Sequence, residues 1–203
     1  MNLFASEEHK TPLQLPIKDG TVLYIPSFFS SEKASEYFTR LTTETPWQQD
    51  SITLFGKTHP QPRLTALYGN NSKPYSYSGI TMLPKQFTPT LKEIKCDVEK
   101  FSEVNFTTVL LNLYRNGSDS NGWHSDNEKE LGTNPVIASV SFGAPRMFHL
   151  KHKTDKALKH KIILEHGSLL LMKGATQENW LHQIPKTTKR VAPRINLTFR
   201  IVY

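Results

Sequence analysis

His124-Ser-Asp126, His182 and Arg194-Ile-Asn196-Leu-Thr198-Phe-Arg200 are the residues best suited to chemistry. Two imidazoles and one carboxylate form a set that holds non-haem Fe(II) on one side. Its open positions can take O2 and an oxidisable co-substrate. In an extended segment residues two apart face the same way, so His124 and Asp126 point together and His182 must come from another strand. By the same alternation Arg194, Asn196, Thr198 and Arg200 share one face, and Ile195, Leu197, Phe199 and Ile201 share the other. The apolar face must pack into the core. The opposite face then gathers two guanidiniums and an amide, which are costly to bury unpaired. A carboxylate-bearing anion resolves that cost, because the arginine fork binds carboxylates bidentately. A lone His-x-Asp is commonly surface or core polarity, and arginines on a strand are often a solvated face. It is the combination that points to oxygen chemistry. Asn112 and Tyr114 share a face of an otherwise apolar strand, either as groups aimed at a ligand or as a hydrogen-bonded core pair.

The elements that must position these groups are mostly strands. Thr21 to Ile25 reads as a short strand after a polar arm. Ser30 can cap a helix whose Ala34, Tyr37, Phe38 and Leu41 recur with helical spacing, ending before Pro46. Residues 47–87 are short β-like pieces broken by glycines and prolines, with aromatic and basic residues interleaved, so they could cover a site. Thr88-Pro89 starts a second helix, with Leu91, Ile94, Val98 and Phe101 as its apolar face. Strand-like runs follow: 107–115, 136–142, 146–152, 161–165, 169–172 and 195–202. Many short strands with such punctuation predict a mostly β fold with flanking helices, a sandwich or jelly roll.

The bulk numbers narrow the class. A chain of 203 residues supports one substantial core, so one domain spanning 1–203 is expected. No apolar run approaches the roughly 20 residues of a membrane helix, and residues 1–10 lack the pattern of a signal peptide. Cys96 is the only cysteine, which rules out an internal disulfide and fits a reducing compartment, the cytoplasm or a eukaryotic nucleus. The net charge of +7 suggests a polyanionic partner.

Asn112-Leu-Tyr114, His124-Ser-Asp126-Asn-Glu128, Pro135-Val-Ile-Ala-Ser-Val-Ser-Phe-Gly143, Glu165-His-Gly-Ser168, His182 and Arg194-x-Asn196-x-Thr198-x-Arg200 together resemble the AlkB family of Fe(II)- and 2-oxoglutarate-dependent nucleic-acid dealkylating dioxygenases. The likeness spans roughly residues 50–203. Leu54-Phe55-Gly56-Lys57 and Tyr75-Ser-Tyr77-Ser-Gly79 place it nearest the branch that repairs duplex DNA. The resemblance implies a double-stranded β-helix core over 101–203, with helices and a nucleotide-recognition lid over 1–100. It implies His124, Asp126 and His182 as iron ligands and Arg194 for the distal carboxylate of 2-oxoglutarate, with Arg200, Asn112, Tyr114 and Asn196 completing the cradle. It further implies that O2 would oxidise the co-substrate to succinate and CO2, and that a hydroxylated N-methyl group would leave as formaldehyde.

A base in a duplex must be flipped out to reach such a site. Tyr77 would stack on the flipped base and Glu128 could contact its edge. Phe55 could fill the gap in the stack, and Arg63 could touch the backbone. For Phe55 and Tyr77 plain core packing is the alternative. Lys151 to Lys161, and Lys186 with Lys189-Arg190, could meet phosphates or be solvated loops. Trp123 either lines the site or packs beside it. His166 reads as structural. The expected partner is alkylated DNA, duplex or single-stranded, with the protein a monomer and no membrane involved. Two competing readings are the same iron core acting on RNA or protein, and a non-enzymatic nucleic-acid-binding module.

Overall fold

The computed structural model describes residues 11–54, 57–71, 73, 75–77 and 80–203, with the side chains of 53, 54, 57, 75–77 and 80 left out. In chain order, β1 (Leu13–Gln14) and β2 (Thr21–Ile25) precede helix α1 (Ser31–Glu44). The strands β3 (Ser51–Leu54) and β4 (Lys57–Pro60) pair with each other, β5 (Leu64–Gly69) follows, and β6 (Tyr75–Tyr77) pairs with β7 (Ile80–Met82). Helix α2 (Pro89–Ser102) leads into β8 (Thr108–Tyr114), β9 (Asn121–His124), β10 (Ile137–Gly143), β11 (Arg146–His152), β12 (Lys159–Leu164) and β13 (Ser168–Lys173). A single turn of helix, α3 (Thr176–Asn179), then joins β14 (Trp180–Ile184) and β15 (Arg194–Arg200).

The strands form a double-stranded β-helix, or jelly roll. One sheet has seven strands in the order β1-β2-β13-β10-β15-β8-β5, and the other has four in the order β12-β11-β14-β9. Alternation along the central strands creates two cores. Val109, Leu111, Val140, Phe142, Ile195, Leu197 and Phe199 point away from the small sheet and pack under Tyr37 and Leu41 of α1 and Leu91, Ile94 and Val98 of α2. The opposite faces meet between the sheets, where Leu110, Tyr114, Ile137 and Met172 contact the cluster of Phe148, Leu150, Leu164 and Trp180. Residues of β8 thus alternate between the helix layer and the interior of the roll.

Both long helices begin as their sequences predict. The Ser30 hydroxyl accepts from the Lys33 amide, and the Thr88 hydroxyl accepts from the Leu91 amide just after Pro89. Phe101, expected on the buried face of α2, is instead 37% exposed beside Phe28. The buried stripe of the last turn passes through Ser102 instead and leaves Phe101 at its edge. No described helix is long and apolar enough to cross a membrane.

The connection between β8 and β9 sets where β9 runs, and it is held by charge. Asp119 accepts from the Arg115 backbone amide at 2.9 Å and from its guanidinium at 2.8 and 2.9 Å. Arg146 donates to the Asp119 and Pro185 carbonyls at 2.9 and 2.7 Å, tying this loop to the one after β14. Gly117 makes that approach possible, since a Cβ there would lie 2.4 Å from the Thr187 carbonyl oxygen. Burial works to raise the Asp119 carboxyl pKa, but the Arg115 bonds outweigh it and leave the group below the usual carboxylate range. The stability this contributes is present above the unfolded carboxylate value and is lost as pH falls through the lower folded value. Urea midpoints measured between about pH 5 and pH 3 should therefore fall less steeply for Asp119→Asn than for the native chain.

Candidate active site

Three central strands turn a polar row into the roll. Arg194 and Asn196 lie opposite Tyr114 and Asn112 on one side. On the other, Asn196 and Thr198 lie opposite Ser141 and Ser139. The apolar residues of β15 fill the helix-side core, so its polar residues must enter the interior, and all seven residues of the strand are buried. Asn196 Nδ2 donates to Ser139 Oγ at 2.8 Å and to the Val140 carbonyl at 3.1 Å, while its Oδ1 accepts from Thr198 Oγ1 at 3.0 Å. Asn112 Nδ2 reaches the same Oδ1 at 3.4 Å. These short polar groups make a fixed floor.

Arg194 stands on that floor, 1% exposed. Its Nη2 donates to Ser141 Oγ at 2.8 Å and its guanidinium lies 5.2 Å from the Tyr114 ring centre. Its Nε and Nη1 have no hydrogen-bond partner among the described residues, and no carboxylate there forms an ion pair with it. Burial pushes its pKa down to about 10, with Arg146 adding to the shift and Tyr114 opposing it. A buried cation with idle donors is costly, and a carboxylate entering the cavity would engage them.

The His and Asp residues face this arginine from the small sheet and the loop after β9. Strands β9 and β14 pair with His182 opposite His124, and the two rings are 4.2 Å apart. His182 also stacks on Phe148 at 5.3 Å. The Gly122 carbonyl lies 2.7 Å from His124 Nδ1. A carbonyl can only accept, so the proton sits on Nδ1 and Nε2 keeps its lone pair. The Asn121 amide lies 3.1 Å from that Nε2. The Asp126 backbone amide donates to the fully buried Gln177 side chain at 2.9 Å, and its Oδ1 accepts from Arg200 Nη2 at 2.6 Å.

The electrostatics suit a cation. Burial works to raise the Asp126 carboxyl, but the charge of Arg200 and the hydrogen bond it donates outweigh this and hold the group below the usual range. Burial pushes His182 down to about 3 and lowers His124 as well. The result is two neutral imidazoles and an ionised carboxylate, the protonation states a metal needs in its ligands. Among the described residues no three such side chains converge in coordinating geometry as they stand. Asn121 and Arg200 hold the donors in place. Arg63, Asn112, Tyr114, His124, Asp126, His182, Arg194, Asn196 and Arg200 nonetheless line one cavity.

Other sequence expectations fall elsewhere. Arg63, expected against a nucleic-acid backbone, is 4% exposed and points inward. It donates to Asn112 Oδ1 at 2.8 Å and to the Ser120 carbonyl at 3.2 Å, so it orients the floor and the β9 approach. Glu128 is half-buried just before a 3-10 turn and is not among the residues lining the cavity. Tyr77 lies on β6, paired with Ile80 of β7, and its side chain is outside the description. Phe55 lies outside the described residues. Trp123 does not line the cavity; it projects to the outer face of the sheet, 40% exposed, with its ring 6.3 Å from that of His149. His166 is structural, accepting from the Gly143 amide at 2.8 Å. Sequence reasoning missed Asn121, Gln177, Ser139 and Ser141. The two serines were detectable, since they alternate with Ala138, Val140 and Phe142 along one strand.

A sequence model of the 2OG-Fe(II) oxygenase superfamily matches residues 21–200. The alpha-ketoglutarate-dependent dioxygenase alkB homolog 3 of Bos taurus is 44% identical over 197 residues, 93% of this chain and 68% of that relative. This chain belongs to the AlkB family of 2-oxoglutarate- and Fe(II)-dependent oxygenases. The DNA oxidative demethylase ALKBH2 of Homo sapiens is 39% identical over 180 residues, covering 85% of this chain and 66% of its own length. In three dimensions this AlkB-family chain shares its fold with OsALKBH1, at a TM-score of 0.67 and 17% identity over 93% of this chain and 100% of the other. The enzyme is therefore a dioxygenase.

Proposed function

We propose that this dioxygenase repairs DNA by oxidatively removing alkyl groups from bases of the 1-methyladenine and 3-methylcytosine type. The observation that carries the co-substrate assignment is Arg194, a buried guanidinium with two idle donors in the cavity that His124, Asp126 and His182 also line. His124, Asp126 and His182 would hold Fe(II), which would supply the oxidising chemistry that converts 2-oxoglutarate and O2 to succinate and CO2 while one oxygen atom enters the alkyl group.

The chain's own residues do the positioning. Arg194 takes the distal carboxylate, with Ser141 and Tyr114 fixing its fork. Asn112 and Asn196 present amides along the body of the co-substrate, and Arg63 holds Asn112 in orientation. Arg200 fixes the Asp126 carboxylate and sets its charge beside the incoming acid. Phe148, Leu110 and Ile184 wall the cavity with apolar surface, so the oxidising step is kept from bulk water. A methyl group on a ring nitrogen becomes a hydroxymethyl, whose C–N bond breaks to release formaldehyde and return the proton to the base.

DNA as the substrate is supported by the likeness to the DNA oxidative demethylase ALKBH2 and by the net charge of +7. It rests further on the exposed Lys186, Lys189 and Arg190 beside a surface cavity of about 510 Å³. The hairpins β3–β4 and β6–β7 would recognise the nucleotide, with Tyr77 of β6 proposed to stack on the flipped base. With Fe(II), 2-oxoglutarate and an oligonucleotide carrying 3-methylcytosine, formaldehyde should appear in equal amount to succinate. Succinate without formaldehyde would retain the oxygenase and reject this substrate. The RNA version of the oligonucleotide, run alongside, tests the competing substrate.

A further inference from the structure

The outer face of the small sheet is exposed, basic and aromatic, and the catalytic reading makes no use of it. Trp123 projects from β9 and Lys151 from β11, with the ammonium 4.2 Å from the indole ring centre. The His149 ring is 6.3 Å from the same indole. Directly across from Lys151 and His149 on β12 stand Lys159 and Lys161, both exposed. Like charges directly opposite on neighbouring strands are unfavourable. Among the described residues none of these three lysines has an ion-pair partner. Burial first, and Lys161 second, lowers the His149 pKa, consistent with a positive field over this face. An exposed indole within a row of uncompensated lysines is the composition of a surface that stacks a base and tracks a phosphate backbone.

We propose that this face is a second contact surface for the nucleic acid, taking an unpaired base on Trp123 and the flanking phosphates on Lys151, Lys159 and Lys161. The proposal rests on the reading of the enzyme as acting on nucleic acid. Trp123 and His124 are neighbours on one strand with opposite side-chain directions, so a strand on the outer face lies one sheet thickness from the iron site. The face extends over three strand spacings of about 4.8 Å each, room for a short single-stranded stretch. On binding, the base replaces the Lys151 ammonium over the indole and the ammonium moves to a phosphate.

Trp123 is open to a direct optical test, since Trp180 is fully buried and Trp47 is half-buried. An unmodified single-stranded 12-mer should quench the intrinsic fluorescence of the native protein, and Trp123→Phe should lose most of that quenching while keeping the affinity. Trp123→Ala should weaken 12-mer binding about tenfold, within the range for loss of one base–aromatic stack. The double variant Lys159→Gln/Lys161→Gln should flatten the dependence of affinity on salt. Turnover of a methylated trinucleotide, too short to span both surfaces, should be the same for Trp123→Ala and the native enzyme. Unchanged 12-mer affinity in Trp123→Ala would overturn the proposal, and so would equal losses on the trinucleotide and the 12-mer. Trp123-dependent 12-mer binding by a protein that removes no methyl group would leave this surface standing and sink the demethylase reading.

Discussion

Asp126→Ala should abolish 2-oxoglutarate turnover and also loosen the fold. The carboxylate is both a proposed metal ligand and the partner of Arg200 at 2.6 Å. Groups that only support a metal ligand typically cost about 10–100-fold when removed, so loss of a ligand itself should exceed that. Removing one side of a buried ion pair costs about 3–5 kcal/mol, which should appear as a lower urea midpoint. Asp126→Asn separates the two effects. Its amide oxygen still accepts from Arg200, so most of the stability should return. Its neutral oxygen is a poor ligand for Fe(II), so activity should not. Recovery of turnover in Asp126→Asn would show that the carboxylate acts through Arg200 and not through a metal.

Arg194→Met should move affinity and stability in opposite directions. Truncating one partner of a buried, hydrogen-bonded charge pair costs about 2–5 kcal/mol of binding, so KM for 2-oxoglutarate should rise by about 30- to 5,000-fold. Without co-substrate the same change replaces an uncompensated buried cation with an apolar side chain of similar length. That should stabilise the unliganded protein, by about 1–4 kcal/mol if it follows other buried ionic groups. At about 100 times its dissociation constant the co-substrate adds about 2.7 kcal/mol to the native enzyme. Thermal melts with and without 2-oxoglutarate should therefore show a large ligand shift for the native chain and almost none for Arg194→Met. A destabilised unliganded variant would mean that Arg194 is a structural residue whose cost the protein itself already meets.

Much of this site was legible because strand alternation is a local rule. The order Arg194-Ile-Asn196-Leu-Thr198-Phe-Arg200 can bury its apolar face in only one way, and β15 does so, with Asn112 and Tyr114 opposite it. The helix caps at Ser30 and Thr88 were equally local. The structure departs from sequence expectation where placement depends on distant partners. Arg63 reads as a surface cation until Asn112, 49 positions away, accepts from it in the interior. The Arg200–Asp126 pair spans 74 positions, and nothing near either residue announces it. Trp123 shows the limit from the other side. Its alternation with His124 directs it outward, but only the arrival of Lys151 from β11 gives that exposure a meaning. Phe101 has the helical spacing of a core residue, yet the buried stripe of α2 ends on Ser102 and leaves Phe101 at its edge.

The most direct test begins without oxygen, with Fe(II), 2-oxoglutarate and a DNA oligonucleotide carrying a single 1-methyladenine bound to the purified protein. O2 is then admitted and the oligonucleotide is followed by mass spectrometry. Conversion to unmodified adenine, with one succinate per methyl group lost and no conversion when either Fe(II) or 2-oxoglutarate is omitted, is the predicted result. A methyl group that persists while succinate accumulates would contradict the proposed substrate, and the absence of succinate from iron-loaded protein would contradict the assignment of the site itself.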